Sequence, residues 1–348
     1  MPSTSTINTG LIGFGLSGQI FHAPFILQHP DMSLTAVSSR QQEQVQVIAP
    51  DAAVVAQAHD LIKRSDIDLV VITAPNDQHF PLAREALMAG KHVLLEKPSV
   101  TQLVQMDQLI ELAEARNRVL TVYQNRRLDG DFQHLRQLCG DDSPLGTLRH
   151  LDTRFDRFRP EPRNRWREQP GEGSGIFWDL GPHLLDQVLC LLGPPESLQA
   201  RLRNLRASSQ TTDWFEVNLH YPHTEVVAGS TPFEAGDMRR FNARFDQGSW
   251  QCWGLDPQEA VLRDGVRPGE ATYLTAGTLQ SARTFGRSGV QDTPIGSGDY
   301  RQFYDQLFSA VNGQAQPPVS LEHARQLVYL MNLAETSART GRQEIWAL

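Results

Sequence analysis

Six residues near the start constrain this chain more than any others: Gly13-Phe-Gly-Leu-Ser-Gly18, a G-x-G-x-x-G spacing. Alone, such a spacing arises by chance. Here it follows an apolar stretch, Ile7 to Ile12, that reads as a strand, and it opens a helix. In that setting Gly13 permits the tight turn, Gly15 lets backbone approach a diphosphate, and Gly18 lets helix and strand pack closely. Exposed N–H groups of the helix start, around Phe14, Leu16 and Ser17, then hold the anion. The competing reading is a glycine-rich turn with no ligand.

The following residues repeat the pattern. Leu34 to Val37 is a short strand candidate. Asp68-Leu-Val-Val-Ile-Thr-Ala ends at Pro75 and is apolar throughout, as in a strand covered on both faces. Lys91-His-Val-Leu-Leu-Glu and Val119-Leu-Thr-Val-Tyr follow. Helical stretches lie between them: Asn76 to Ala89, closed by Gly90, and Thr101 to Ala115, with Thr101 placed to cap it. Strand and helix alternate, which predicts an α/β fold with a doubly wound parallel sheet over residues 1–125. Pro24 falls where the first helix should continue, so that helix should be broken or displaced, and His22 beside it reads as structural rather than catalytic.

The end of the second strand reads the coenzyme's 2′ position. An acidic residue there favours NAD. This chain has Ser38-Ser39-Arg40, whose hydroxyls and guanidinium suit a 2′-phosphate, so NADP is expected over NAD. The bland alternative is a surface arginine. Thr73, Ala74, Pro75, Asn76 and His79 sit at the carboxyl end of a central strand, where open α/β sheets bind ligands. They are candidate cofactor contacts, as are Glu96 and Asn125 at two other strand ends; Asn76 can equally be a helix cap.

From about Asn125 the pattern changes. Arg126 to Leu138 looks helical. Short stretches then alternate apolar and polar residues with period two, as in Phe215-Glu-Val-Asn-Leu-His-Tyr, which predicts an antiparallel sheet. Helices are expected at Trp178 to Leu192, Asp299 to Val311 and Ser320 to Thr340, with a long excursion from Pro257 to Gly298. Residues 126–348 are therefore expected to form one second, α+β domain. The net charge of −8 argues against a broad nucleic-acid surface. No apolar run reaches the ~18 residues of a membrane helix, and Met1 to Asn8 lacks the pattern of a signal peptide. Three distant cysteines, Cys139, Cys190 and Cys252, point to reduced thiols in a cytoplasmic protein and not to a disulfide framework or metal site. Of 32 basic residues, only Lys63, Lys91 and Lys97 are lysines.

Two further motifs identify a family. Glu96-Lys97-Pro98 follows a strand, and Trp178-Asp179-Leu180-Gly181-Pro182-His183 opens a helix. With the glycine motif, the chain resembles the Gfo/Idh/MocA oxidoreductases. The runs Gly15-Leu-Ser-Gly-Gln-Ile-Phe-His-Ala-Pro-Phe25, Asn125-Arg126-Arg127 and Arg154-Phe-Asp-Arg-Phe-Arg-Pro160 are similar to the branch that holds NADP-dependent scyllo-inositol dehydrogenases. The resemblance implies an N-terminal Rossmann domain and a C-terminal domain with an open, mostly antiparallel sheet used for contacts within a homodimer or higher homo-oligomer. It implies that Lys97 is the active-site lysine, and Asp179 and His183 the acid and histidine of a D-x-x-x-H segment. Gly181-Pro182 departs from the family pattern but keeps that spacing.

The chemistry is coherent without the name. Oxidising a secondary alcohol requires a base for the hydroxyl proton, and histidine suits neutral pH. Asp179 and His183, four apart, share a helical face. Lys97 supplies positive charge where an alkoxide develops. Singly, each has a bland reading: a core histidine, a helix-capping aspartate, a solvated lysine. Arg154, Phe158, Arg165 and Trp166 precede the histidine's helix and are candidates for the substrate pocket, or surface residues; Tyr123 is as readily core as pocket. The expected activity is NADP-dependent hydride transfer on a small cyclic polyol or sugar, scyllo-inositol and its keto form being the specific candidate. The alternatives are a glycosidase-like enzyme that retains its coenzyme, and a non-catalytic nucleotide-sensing regulator.

Overall fold

The structure, a computed structural model, describes residues 6–163, 165–277 and 279–348. The chain divides into two compact units.

The first unit is a Rossmann fold. Its strands are β1 (Ile7–Ile12), β2 (Met32–Ser38), β3 (Ala53–Val55), β4 (Leu69–Ile72), β5 (His92–Leu95) and β6 (Leu120–Val122). All pairings are parallel and the order is β3-β2-β1-β4-β5-β6. The order reverses between β1 and β4, the switch point at which such sheets bind ligands. Every residue of β4 is fully buried, as its unbroken apolar run requires. Helices α1 (Ala23–Gln28), α2 (Gln42–Ile48), α3 (Ala58–Ile62), α4 (Asn76–Met88) and α5 (Leu103–Arg116) connect the strands. Gly90 ends α4 with φ +78°, a left-handed conformation that glycine adopts without strain. Thr101 does not cap α5; Gln102 holds that position.

The expected break at Pro24 takes a specific form. Gly18–His22 is a π-helical turn, closed by the Ala23 N–H donating to the Gly18 carbonyl. The wider turn brings Pro24 into the first turn of α1, where a missing N–H removes no helix bond.

The second unit is built on a nine-stranded sheet. Its elements are α6 (Gly130–Leu138), β7 (Leu148–Arg154), α7 (Ile176–Leu192), β8 (Ser197–Arg203), β9 (Trp214–His220), β10 (Glu225–Ser230), β11 (Arg239–Phe245) and β12 (Gly248–Trp253). β13 (Ser281–Gly286), β14 (Gly289–Asp292), most of α10 (Leu321–Thr340) and β15 (Glu344–Ile345) complete it, while α8 (Gln258–Arg263) and α9 (Arg301–Val311) belong to the first unit. The order is β14-β13-β12-β11-β7-β10-β9-β8-β15. Every pairing is antiparallel except β7 with β10. Leu184, Leu185 and Val188 of α7 and Leu330, Met331 and Ala334 of α10 join Phe215, Val217 and Leu219 of β9 in one buried core.

The expected domain boundary needs correction. The first unit does run up to Asn125, but it also takes 258–276 and 299–325; the second takes 126–257, 277–298 and 326–348. The reason is aromatic packing. Tyr304 of α9 stacks on Phe25 of α1 at 5.3 Å, and Phe303 meets Tyr123 edge-on at 4.8 Å. The region expected as an excursion contains α8 and the β13–β14 hairpin. Among the described residues, no helix is long and apolar enough to cross a membrane, and all three cysteines are free, with burial pushing the Cys139 and Cys190 thiols up to about 12.

Candidate functional site

In the first unit the glycine turn leaves β1 at the switch point. The Gly13 N–H donates to the Ser38 carbonyl at 3.0 Å, so the Ser38-Ser39-Arg40 run lies beside the turn. Ser38 is buried and Arg40 exposed. The three glycines answer different demands. Gly13 has φ +91°, and a Cβ there would lie 2.7 Å from Thr73 Oγ1; at Gly18 it would lie 2.7 Å from the Gly13 carbonyl oxygen. At Gly15 a Cβ would meet no protein atom within 4 Å. The fold therefore needs glycine at 13 and 18, whereas at 15 the backbone borders open space that a diphosphate can enter. Phe14 is core, and Leu16 is exposed. Thr73 donates its hydroxyl toward the Ile12 and Gly13 carbonyls at 3.1 and 3.0 Å, locking β4 to the turn.

These two positions separate folding from binding. Gly13→Ala should lower the unfolding temperature, since left-handed backbone alone costs a non-glycine residue about 1–2 kcal/mol. Gly15→Ala should unfold like the parent chain but bind a nicotinamide dinucleotide roughly tenfold more weakly, the equivalent of about 1.4 kcal/mol. Calorimetry and equilibrium binding check both; unchanged affinity in Gly15→Ala would contradict the assignment.

One carboxylate joins the turn to the lysine segment. Glu96 Oε1 accepts from the Ser17 hydroxyl and from His22 Nε2 at 3.0 Å, and Oε2 accepts from the Lys97 backbone N–H at 2.9 Å. Burial alone would push the Glu96 carboxyl up; His22, Ser17 and Lys97 outweigh it and hold it at about 2. Because an ionised carboxylate only accepts, the His22 proton is assigned to Nε2. His22 is wholly buried, its ring 4.5 Å from Tyr123, and its Nδ1 lies 2.8 Å from the Tyr304 hydroxyl. It is thus a structural strut behind the turn. Lys97 is half-buried and precedes Pro98 across a cis peptide.

The remaining first-unit candidates divide. His79 is buried with Nδ1 2.8 Å from the Pro98 carbonyl and Nε2 2.9 Å from the Ala74 carbonyl. Burial pushes its imidazole pKa down, so the ring is neutral and donates to one carbonyl only. It braces the loop that carries Ala74 against the Lys97-Pro98 turn. Pro75, not Asn76, occupies the capping position of α4, and Asn76 is buried. Asn125 is buried at the start of a short 3-10 turn. Tyr123, a substrate candidate, is core: it is 1% exposed within the ring cluster of Phe21, His22, Phe303 and Tyr304.

In the second unit α7 carries Asp179 and His183. The helix runs unbroken through Gly181 and Pro182. A Cβ at Gly181 would lie 3.2 Å from the Phe177 ring and 3.4 Å from Met331, so the glycine accommodates close packing against α10. Asp179 is part-exposed, with Arg167 Nε 3.6 Å from its Oδ1. His183 is 6% exposed. One turn later, Asp186 accepts a two-pronged bond from Arg127 at 2.7 and 2.8 Å, fixing α7 to the segment after Asn125.

The substrate candidates before α7 also divide. Arg165 lines a pocket that Asp179 also lines. Arg154 does not: its Nε donates to Asp156 at 2.7 Å, with Glu216 3.8 Å away. Phe158 is 61% exposed and pairs with Phe233 across an isolated bridge. Trp166 opens a short 3-10 turn; its side chain lies outside the described residues. Sequence reasoning missed Arg157, Arg159, Arg167 and Arg206, which line the same pocket. The alternation of Phe155, Arg157 and Arg159 was the available signal for two of them; nothing marked Arg206.

Comparisons with known proteins agree with this architecture. The family model described as oxidoreductase family, NAD-binding Rossmann fold, matches residues 7–124, and the GFO/IDH/MocA C-terminal domain matches 132–251. The chain is 40% identical over 340 residues to an uncharacterized oxidoreductase, YdgJ, of Escherichia coli K12, covering 97% of each. It is 28% identical to the NADP-dependent scyllo-inositol 2-dehydrogenase IolW of Bacillus subtilis, covering 97% of this chain and 95% of the relative. A solved Yersinia pestis protein described as an oxidoreductase superposes with a TM-score of 0.92 at 38% identity, over 99% and 98% of the two chains.

Proposed function

Because the chain belongs to the Gfo/Idh/MocA oxidoreductase family, we propose that it transfers hydride between NADP and a secondary alcohol or ketone of a cyclic polyol or sugar. One observation carries this reading: Glu96 binds both Ser17 of the glycine turn and the backbone of Lys97. The segment that would hold a coenzyme diphosphate and the segment that presents the amine are thereby one rigid piece. When bound, the nicotinamide supplies the hydride acceptor or donor.

The residues of this chain supply the rest. Gly13, Gly15 and Gly18, with the helix start, would hold the diphosphate. Ser38, Ser39 and Arg40 would receive a 2′-phosphate. Lys97 would donate to the substrate oxygen as negative charge develops there. His183 would accept the hydroxyl proton on oxidation and return it on reduction. Asp179, on the same face of α7, would orient the substrate. Inositols and their keto forms are the first substrates to screen, given the IolW relative.

The coenzyme reading has its own test. NADPH should bind more tightly than NADH, and Arg40→Ala should remove most of that difference, since a bond to a charged partner is worth about 1.5–3 kcal/mol. Fluorescence titration with both coenzymes measures it. Equal affinities in the parent chain would remove the role given to Ser38, Ser39 and Arg40.

A further inference from the structure

The pocket of the second unit has an unusual charge balance. Five arginines line it, Arg157, Arg159, Arg165, Arg167 and Arg206, against three acidic residues, Glu168, Asp179 and Asp213. Arg206 engages two of those acids: its Nη2 is 3.2 Å from Glu168 and its Nε 3.0 Å from Asp213. Arg167 faces the third, Asp179, at 3.6 Å. The lining therefore carries two more positive charges than negative ones.

The arginines are held in place by backbone. The ribbon that continues β7 places Arg157 and Arg159 through N–H bonds to the Thr231 and Pro232 carbonyls, at 3.0 and 2.7 Å. A tight loop places Arg165, whose N–H donates to the Arg163 carbonyl at 2.9 Å and whose carbonyl accepts from Glu168 at 3.0 Å. Arg159 feels the crowding: burial first, then the charges of Arg157, Arg163 and Arg165, push its pKa down to about 10. It stays protonated at neutral pH, so the repulsion persists. Packing like charges at a half-buried site stabilises nothing by itself, whereas a planar or tetrahedral oxyanion accepts two-pronged bonds from such forks.

Position ties the pocket to the chemistry. Asp179 lines it, and His183 lies one turn further along α7. Hydroxyl-bearing Thr211, Thr212, Ser230 and Thr231 complete the wall and suit the alcohol groups of a sugar.

We infer that the substrate carries an oxyanion, a phosphate or a carboxylate, and that Arg157, Arg159 and Arg165 hold it at the first turn of α7. This deepens the proposed function and rests on it for the word substrate. It shifts the preferred molecule from a neutral inositol to an acidic or phosphorylated polyol or sugar.

The test is calorimetric titration of the full chain, saturated with NADP, with glucose, glucuronate and glucose 6-phosphate. At least one charged ligand should bind roughly tenfold or more tightly than glucose. Which of the two wins separates a carboxylate from a phosphate site. Arg159→Gln and, independently, the exposed Arg165→Gln should each erase most of that preference for the charged ligand over glucose. Added salt should weaken only the charged ligands. Glucose binding as well as both anions, or a preference that survives both variants, would overturn the inference. Failure of the broader reading looks different: arginine-dependent binding of an anionic sugar with no coenzyme turnover on any polyol leaves the oxyanion site standing and removes the dehydrogenase assignment.

Discussion

Replacing His183 with alanine is expected to lower turnover by about 10²–10⁴-fold, the usual worth of a positioned general base. Coenzyme affinity should stay near that of the parent chain, because the glycine turn and the Ser38-Ser39-Arg40 run belong to the first unit and His183 to the second. The fold should tolerate the change: His183 is buried, but α7 is anchored by the Arg127–Asp186 bond and by the Trp178 indole donating to Glu335 at 2.8 Å. Steady-state kinetics with a coenzyme titration measure both quantities. Unchanged turnover would eliminate this imidazole as the base.

Lys97→Arg should also fail to sustain activity, with a loss of about 10²–10³-fold, comparable to removing one preorganised donor from a developing oxyanion. Charge is conserved in this variant; shape is not. A guanidinium is a planar fork, whereas an ammonium is a compact point charge. The Lys97 backbone is pinned by Glu96 at 2.9 Å and followed by Pro98, so the main chain has little freedom to refit the longer head. This chain uses arginine almost everywhere else, which makes its lysine here informative. Activity close to the parent in Lys97→Arg would show that any cation suffices and would remove the amine-specific role.

Much of the architecture is visible in the sequence because it is local. The buried run of β4 announces a doubly covered strand, and the period-two alternation of β9 announces a sheet with one apolar face. The glycine turn is equally legible, since Gly13 and Gly18 are demanded by contacts within one βα unit and with Thr73. What remains hidden depends on distant partners. The three residues of β3 are too few and too exposed to carry a pattern. Phe303, Tyr304, Leu307 and Phe308 mark α9 as amphipathic, but nothing in their spacing says that they cover α1 and not the second sheet. Pro24 signals a break but not a π-helical one. His22 reads as structural from its neighbours, but its partner Tyr304 lies 282 residues away and is not legible locally. The arginine pocket is assembled from four separate stretches, so single arginines read as surface until Arg206 is seen between Glu168 and Asp213. Tyr123 reads from sequence as readily core as pocket, and only the distant rings around it make it core.

In the proposed reaction hydride passes between a dissociable nicotinamide coenzyme and a carbon of a polyol or sugar. Following a deuterium label from the reduced nicotinamide of NADPH, during reduction of a panel of keto-inositols and neutral and acidic keto-sugars, tests it most directly. One label should appear on the new carbinol carbon for each NADPH consumed, with coenzyme turning over freely. Label that stays on the coenzyme throughout the panel, with tight binding but no consumption, would contradict it.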